Sequence, residues 1–123
     1  MKITGFNPLI MTTDLENTIK LFEALGFERR HTKDGLDGRD DITGVRLKNA
    51  DGFSVDITES KNIKQDMATI RMNVDNFEEA RKMLEDHGFH PASDEVVSDA
   101  SSKSIGMISP SGFLIGLVEH IKK

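Results

Sequence analysis

The chain has 123 residues, with 16 basic and 21 acidic side chains, a net charge of -5 and no cysteine. A chain of this length forms one domain and buries roughly two thirds of the surface its unfolded form exposes. The missing thiols exclude disulfides, thiolate metal sites and cysteine nucleophiles, and the acidic balance argues against nucleic acid as a partner. The opening MKITGFNPLIMTTD holds one lysine and no long apolar run, so it reads as neither a signal peptide nor a membrane span, and the expected location is the cytoplasm.

Residues 3–13 are largely apolar and β-branched and predict a first strand, with Pro8 better suited to an edge or a beginning than to the middle. Asp14 is the expected N-cap of a helix whose Leu15, Ile19 and Phe22 recur at helical spacing, and Gly26 its left-handed terminator. Residues 28–33 predict a second strand, 34–41 (DGLDGRDD) a charged loop, and 42–48 and 53–59 a third and fourth strand joined by a hairpin turn over 49–52. A polar stretch at 60–66 follows neither period. Residues 68–74 alternate, with Ile70, Met72 and Val74 on one face and Thr69, Arg71 and Asn73 on the other. Asn76 and Glu79 have capping-box spacing ahead of a helix with Phe77, Ala80 and Leu84 on its apolar stripe, and Gly88 ends it. Residues 91–103 read as a serine- and aspartate-rich loop holding a short strand at 95–97. Residues 104–108 and 113–119 close the chain as a hairpin across Ser109-Pro110-Ser111-Gly112.

The chain repeats itself. GFSVDITE (52–59) returns as GFLIGLVE (112–119), with Gly52 and Gly112, Phe53 and Phe113, and Glu59 and Glu119 each sixty positions apart. Asp14 and Asp75 are sixty-one apart, and Gly26 and Gly88, like Phe27 and Phe89, sixty-two. The reading is a single α+β domain over 1–123, built from module one (1–59), a linker (60–66) and module two (67–123). Each module is β-α-β-β-β, with its helix on the apolar face of its sheet. The opposite faces carry Asn7, Leu9 and Met11, Arg46 and Lys48, Ser54, Asp56 and Thr58, Thr69, Arg71 and Asn73, and Leu114, Gly116 and Val118. Two such sheets curved toward each other would enclose a cleft of mixed polarity, which is the expected binding site.

The tandem β-α-β-β-β arrangement, the pattern NPLIMTTDLENTIKLFEALGF and the two GF-x-[VI]-x-[IL]-x-E strands resemble the vicinal oxygen chelate superfamily, which includes glyoxalases, fosfomycin-resistance transferases, extradiol dioxygenases and bleomycin-resistance proteins. The resemblance covers almost the whole chain. It implies a curved, open barrel-like sheet with helices outside (the glyoxalase/bleomycin resistance fold) and a homodimer. It also implies metal ligands, usually His or Glu, on the first and last strand of each module. Those positions are here Asn7, Asp56, Thr69 and Gly116. Asp56 alone is a good ligand, Asn7 is at most a weak carbonyl donor, and Thr69 and Gly116 are poor or impossible. The resemblance therefore leads to a metal-independent small-molecule binding protein without a cofactor. With no Trp or Tyr, and Phe residues mostly expected on helix-facing positions, a flat aromatic drug is a poor candidate ligand.

The expected ligand-binding residues are Asn7, Arg46, Asp56, Thr69 and Arg71, around a small polar or anionic ligand. Either arginine could capture a carboxylate or phosphate, or one of them could pair with Asp56 and hold the two sheets in register. Asp56 could act as a general base, but no acid or electrophile partner stands out. An alternative reading is a glyoxalase-like lyase or isomerase using a non-standard metal site or none, and a third is an interaction domain whose cleft its own side chains fill. His31, His87, His90 and His120 are scattered and fit surface or cap roles, and a site joining Asp56 to His31 or His120 would be unorthodox. Asp34, Asp37, Asp40 and Asp41 do not form a calcium loop, since Leu36 and Gly38 occupy ligand positions and no glutamate closes it. Glu59 and Glu119 sit at strand ends, where repeat symmetry accounts for them.

Overall fold

The computed structural model describes residues 1–34, 43–61, 63–92, 97–98 and 102–120. The expected charged loop beyond Asp34, and residues 95–96 of the expected short strand, lie outside the described residues. In chain order the elements are β1 (Ile3–Thr12), α1 (Leu15–Ala24), β2 (Glu28–Asp34), β3 (Thr43–Lys48), β4 (Ser54–Glu59) and β5 (Met67–Val74), then α2 (Phe77–Asp86), β6 (His90–Pro91), β7 (Val97–Ser98), β8 (Ser102–Ile108) and β9 (Leu114–His120). They form an α+β fold of two compact units, a first of Asn7–Ala68 and a second of Met1–Phe6 with Thr69–Lys123. No described helix is long and apolar enough to cross a membrane.

In the first unit the strand order is β2-β3-β4-β1, antiparallel except for the parallel pair β1 and β4. The alternation of β3 and β4 sends Val45, Leu47, Val55 and Ile57 to one face, where α1 covers them with Leu15 and Ile19. Leu47, Ile57 and Ile19 are fully buried, so truncating any of them to Ala would cost about 2–5 kcal/mol. The second unit repeats the scheme as β5-β9-β8-β6, with β5 and β9 parallel and β7 pairing with β8. Here Phe77 and Ala80 of α2 pack on Met72, Val74, Ile105, Met107, Ile115 and Leu117.

Both helices are capped as their sequences require. The Asp14 side chain accepts the Asn17 backbone N–H and the Asn76 side chain accepts that of Glu79, each satisfying a donor the helix leaves over. Gly26 and Gly88 follow the last turns with φ of 100 and 89°, a region a side chain makes costly. The two caps, Asp14 and Asn76, are sixty-two positions apart like the glycines. Matching Asp14 to Asp75 is therefore corrected by one residue, and Asp75 instead bonds Lys2, donating its N–H to the Lys2 carbonyl and accepting the Lys2 N–H.

Several expectations are corrected. Pro8 lies in the middle of β1, one residue before the rungs to β4, which run from Leu9 to Thr12. Among the described residues of 91–103, Val97 lies in a short strand, β7, as expected, whereas Pro91 belongs to β6, paired with β8 through His90 and Pro91, and β8 begins at Ser102 rather than Ser104. Serines are poor strand formers, but pairing with β9, with Ser102 opposite His120, overrides that preference. Phe22, Phe27, Phe77 and Phe89 do belong to the helix-side cores, whereas Phe6, Phe53 and Phe113 are 61, 68 and 52% exposed. Glu119 has a partner that repeat symmetry did not announce, for its carboxylate accepts the Phe77 backbone N–H at 2.6 Å and anchors the first turn of α2.

Candidate functional site

In the first unit the face away from α1 holds three of the five expected residues together. The β3–β4 register sets Arg46 directly opposite Asp56, and the β1–β4 register sets Leu9 on the other side of Asp56. Arg46 donates Nε to Asp56 Oδ1 at 2.9 Å and Nη2 to Oδ2 at 3.1 Å, a two-bonded fork. Asn7 Nδ2 donates to the same Oδ2 at 2.6 Å and to the Pro8 carbonyl at 3.0 Å. Asp56 is 5% exposed, while Arg46 keeps 37% of its side chain in contact with water. The hydrogen bond to Asp56 raises the Arg46 pKa further above its ordinary range, against a smaller opposing effect of burial, so the guanidinium stays charged throughout the accessible pH range.

Of the two alternatives for Arg46, the structure shows the internal ion pair. The signal was present in the hairpin, since the turn over 49–52 places Lys48 opposite Ser54 and, two residues further, Arg46 opposite Asp56. The turn is itself held by Asn49, whose side-chain oxygen accepts the N–H groups of Asp51 and Phe53. At the matching turn Ser109 Oγ does the same for Gly112 and Phe113.

Thr69 and Arg71 lie in the second unit, on the face away from α2. Thr69 and Asn73 are buried and Arg71 is half-buried. Arg71 donates Nε to Asn73 Oδ1 at 3.3 Å, and Asn73 Nδ2 approaches His120 Nε2 at 3.5 Å. Gly5 permits this placement of Asn73, since a Cβ there would stand 3.1 Å from its amide nitrogen. Ser102 and Ser104, both buried, join the same face opposite His120 and Val118. The sequence reading missed these serines because it placed Ser102 in a loop, although counting back from buried Ile105 and Met107 puts Ser104 on the far face. His120 contacts Asn73, and the His31 side chain lies outside what the structure describes.

The residues do not fit the metal that the fold's relatives would imply. Of the four ligand positions, Asp56 is engaged by a guanidinium and an amide, Asn7 directs its amide NH2 rather than its oxygen at Asp56, Thr69 offers a neutral hydroxyl and Gly116 offers nothing. Among the described residues no group of three or more His, Cys, Asp or Glu is placed to hold an ion.

No family model matches the chain, and no curated protein matches it in sequence. Solved structures match its fold along nearly its whole length. The methylmalonyl-CoA epimerase of Mycobacterium tuberculosis has a TM-score of 0.73 at 15% identity over 98% of this chain and 90% of that one. A hypothetical protein of Bacillus halodurans C-125 has a TM-score of 0.70 at 16% identity over 95 and 94%. A glyoxalase/bleomycin resistance protein/dioxygenase superfamily member of Vibrio splendidus 12B01 has a TM-score of 0.58 at 16% identity over 96 and 99%. At such identities a likeness carries the fold and not the activity. With its two repeats, each a strand, a helix and a return of antiparallel strands closed by a parallel pairing of first and last strand, this chain has the vicinal oxygen chelate fold.

Proposed function

We propose that the protein is a metal-independent small-molecule binding protein for a small polar or anionic ligand, with Asn7, Arg46 and Asp56 as the candidate binding residues of the first unit and Thr69 and Arg71, taken separately, as those of the second. The observation that carries this reading is the Arg46–Asp56 fork. The one strong ligand-type carboxylate among the four positions already has a resident cation, bonded at 2.9 and 3.1 Å. A metal ion at Asp56 would have to displace a guanidinium that two hydrogen bonds fix, and would find no second strong donor at the other three positions. The buried hydroxyls and amides of the second unit favour binding of polar groups. On this reading the protein acts as a homodimer in the cytoplasm, the first as the resemblance implies and the second in keeping with the absence of cysteine.

The test is a thermal-shift screen of small carboxylates, phosphates, alcohols and amides, run with and without excess chelator. The reading expects at least one compound to raise the melting temperature equally in both conditions. Stabilisation that chelator abolishes would count against it.

A further inference from the structure

The β3–β4 and β8–β9 hairpins agree on the face toward the helix and differ on the face away from it. Toward the helix, Val45, Leu47, Val55 and Ile57 recur sixty positions on as Ile105, Met107, Ile115 and Leu117, all buried. Away from it the first hairpin carries Arg46, Lys48, Ser54 and Asp56, and the second Gly106, Ile108, Leu114 and Gly116. The pairing is the same in both. Arg46 is opposite Asp56 and Lys48 opposite Ser54, as Gly106 is opposite Gly116 and Ile108 opposite Leu114. The second hairpin forms without any of the four polar residues, so hairpin formation does not account for them in the first.

The four are unevenly satisfied. Asp56 is buried and fixes Arg46 through Nε and Nη2. A guanidinium held on that edge keeps both N–H groups of Nη1 and the second one of Nη2, and 37% of the Arg46 side chain is open to water. Lys48 is exposed and Ser54 half-buried. Among the described residues the Lys48 ammonium has no ion pair and the Ser54 hydroxyl no hydrogen bond. Glu28 of β2 stands opposite Lys48, but its carboxylate lies 3.6 Å from Arg30 Nη2. Residues two apart on one strand are separated by roughly 7 Å and paired residues by roughly 5 Å. A fixed guanidinium edge, an ammonium and a hydroxyl therefore border one small area of the sheet. An ion that accepts from all three needs several oxygens around one centre and more than a single negative charge. A phosphate has both, whereas a carboxylate offers two coplanar oxygens that a guanidinium alone can serve.

We propose that Arg46, Lys48 and Ser54 form a phosphate-binding site on the first unit, with the guanidinium held ready by Asp56. The ligand is inorganic phosphate or the phosphate group of a small phosphomonoester. This rests on the ligand-binding reading above and narrows it. The stoichiometry is one phosphate per chain, because the matching positions of the second hairpin carry neither a cation nor a hydroxyl.

The experiment is calorimetric titration of the full chain, in chelator, with inorganic phosphate and methyl phosphate, and with acetate and uncharged trimethyl phosphate as counterparts. Inorganic phosphate is expected to saturate at one per chain, with acetate and trimethyl phosphate at least roughly tenfold weaker. Methyl phosphate that competes with inorganic phosphate supports a phosphomonoester as the ligand, and its exclusion supports the free ion. Lys48→Met is expected to weaken phosphate by roughly tenfold. Lys48→Ile with Ser54→Leu installs the pair that the second hairpin already accommodates, and is expected to stay folded by circular dichroism and to lose saturable binding. Should that double variant fail to fold, Lys48→Met alone decides. Wild-type affinity in a folded variant, equal binding of trimethyl phosphate, or acetate as tight as phosphate would overturn the proposal. If a compound of another class stabilises the protein in the thermal-shift screen while phosphate does not bind, the proposal fails and the binding reading survives. If nothing in that screen binds, both fail.

Discussion

Arg46 and Asp56 face each other across the β3–β4 ladder and are joined by two hydrogen bonds of 2.9 and 3.1 Å, with the carboxylate 5% exposed and the guanidinium a third open to water. Taking away one partner of such a pair leaves the other buried without compensation. Arg46→Met should therefore destabilise the protein by about 2–3 kcal/mol, toward the low side because exposure of Arg46 screens the pair. The double variant Arg46→Met with Asp56→Leu should recover most of that loss. Urea unfolding of the four proteins in a double-mutant cycle measures it, and a coupling indistinguishable from zero would show that the fork contributes nothing to stability.

Asp66 bridges the residues after β4 back to the end of β1. Its carboxylate accepts Thr12 Oγ1 at 2.7 Å and the Thr13 N–H at 3.1 Å, and these bonds, the Thr12 hydroxyl first, hold its pKa below the ordinary 3.8. A group with a depressed folded pKa contributes stability that is complete above the unfolded value and disappears as pH falls through the folded value, since between the two the unfolded chain binds more protons. The stability difference between wild type and Asp66→Asn should be constant from about pH 7 to about pH 5 and shrink below about pH 4, as urea midpoints across that range would report. A difference that grows with acidity would contradict the assignment.

The two C-terminal glycines separate conformational strain from steric overlap. A Cβ at Gly26 meets nothing within 4 Å, whereas one at Gly88 would stand 2.7 Å from Pro110 Cγ. Gly26→Ala should cost about 1 kcal/mol, the strain of a left-handed residue with a side chain. Gly88→Ala should cost distinctly more, about 2–3 kcal/mol, because the proline ring must also move. Equal losses in chemical denaturation would mean that Pro110 yields freely.

The first turn of α2 has two separate anchors, the Asn76 side chain on the Glu79 N–H and Glu119 on the Phe77 N–H. Asn76→Ala should cost about 1 kcal/mol and Asn76→Asp little. Glu119→Ala should cost about 1–2 kcal/mol, because a carboxylate on a helix N-terminal N–H gains from the charge as well as from the bond. Glu119→Gln, measured alongside by thermal unfolding, should fall between wild type and alanine.

The parts of this molecule legible in the sequence are those governed by local rules. Both N-caps, both glycine terminators and the alternation that sends Leu47 and Ile57 inward and Arg46 and Asp56 outward follow from period and cap chemistry. So does the doubling of the whole pattern. Relations between distant strands were less legible. Glu119 looked like a strand-end carboxylate because nothing local reveals that the start of α2 lies beside the end of β9. Ser102 looked like loop because its strand exists through pairing with β9 rather than through its own preference. The contact grouping of Met1–Phe6 with the later half of the chain rests on long-range bonds such as that between Lys2 and Asp75, which sequence spacing does not encode.

On the proposed reading the site works without a metal because Asp56 is already served by Arg46. The most direct measurement is elemental analysis of the purified protein together with calorimetric titration by zinc, nickel, manganese and iron(II). We expect no stoichiometric metal and only weak, non-saturating heats that Asp56→Asn leaves unchanged. One tightly held ion per chain, lost in Asp56→Asn, would contradict it and would mean that the Arg46–Asp56 fork opens to admit a cation.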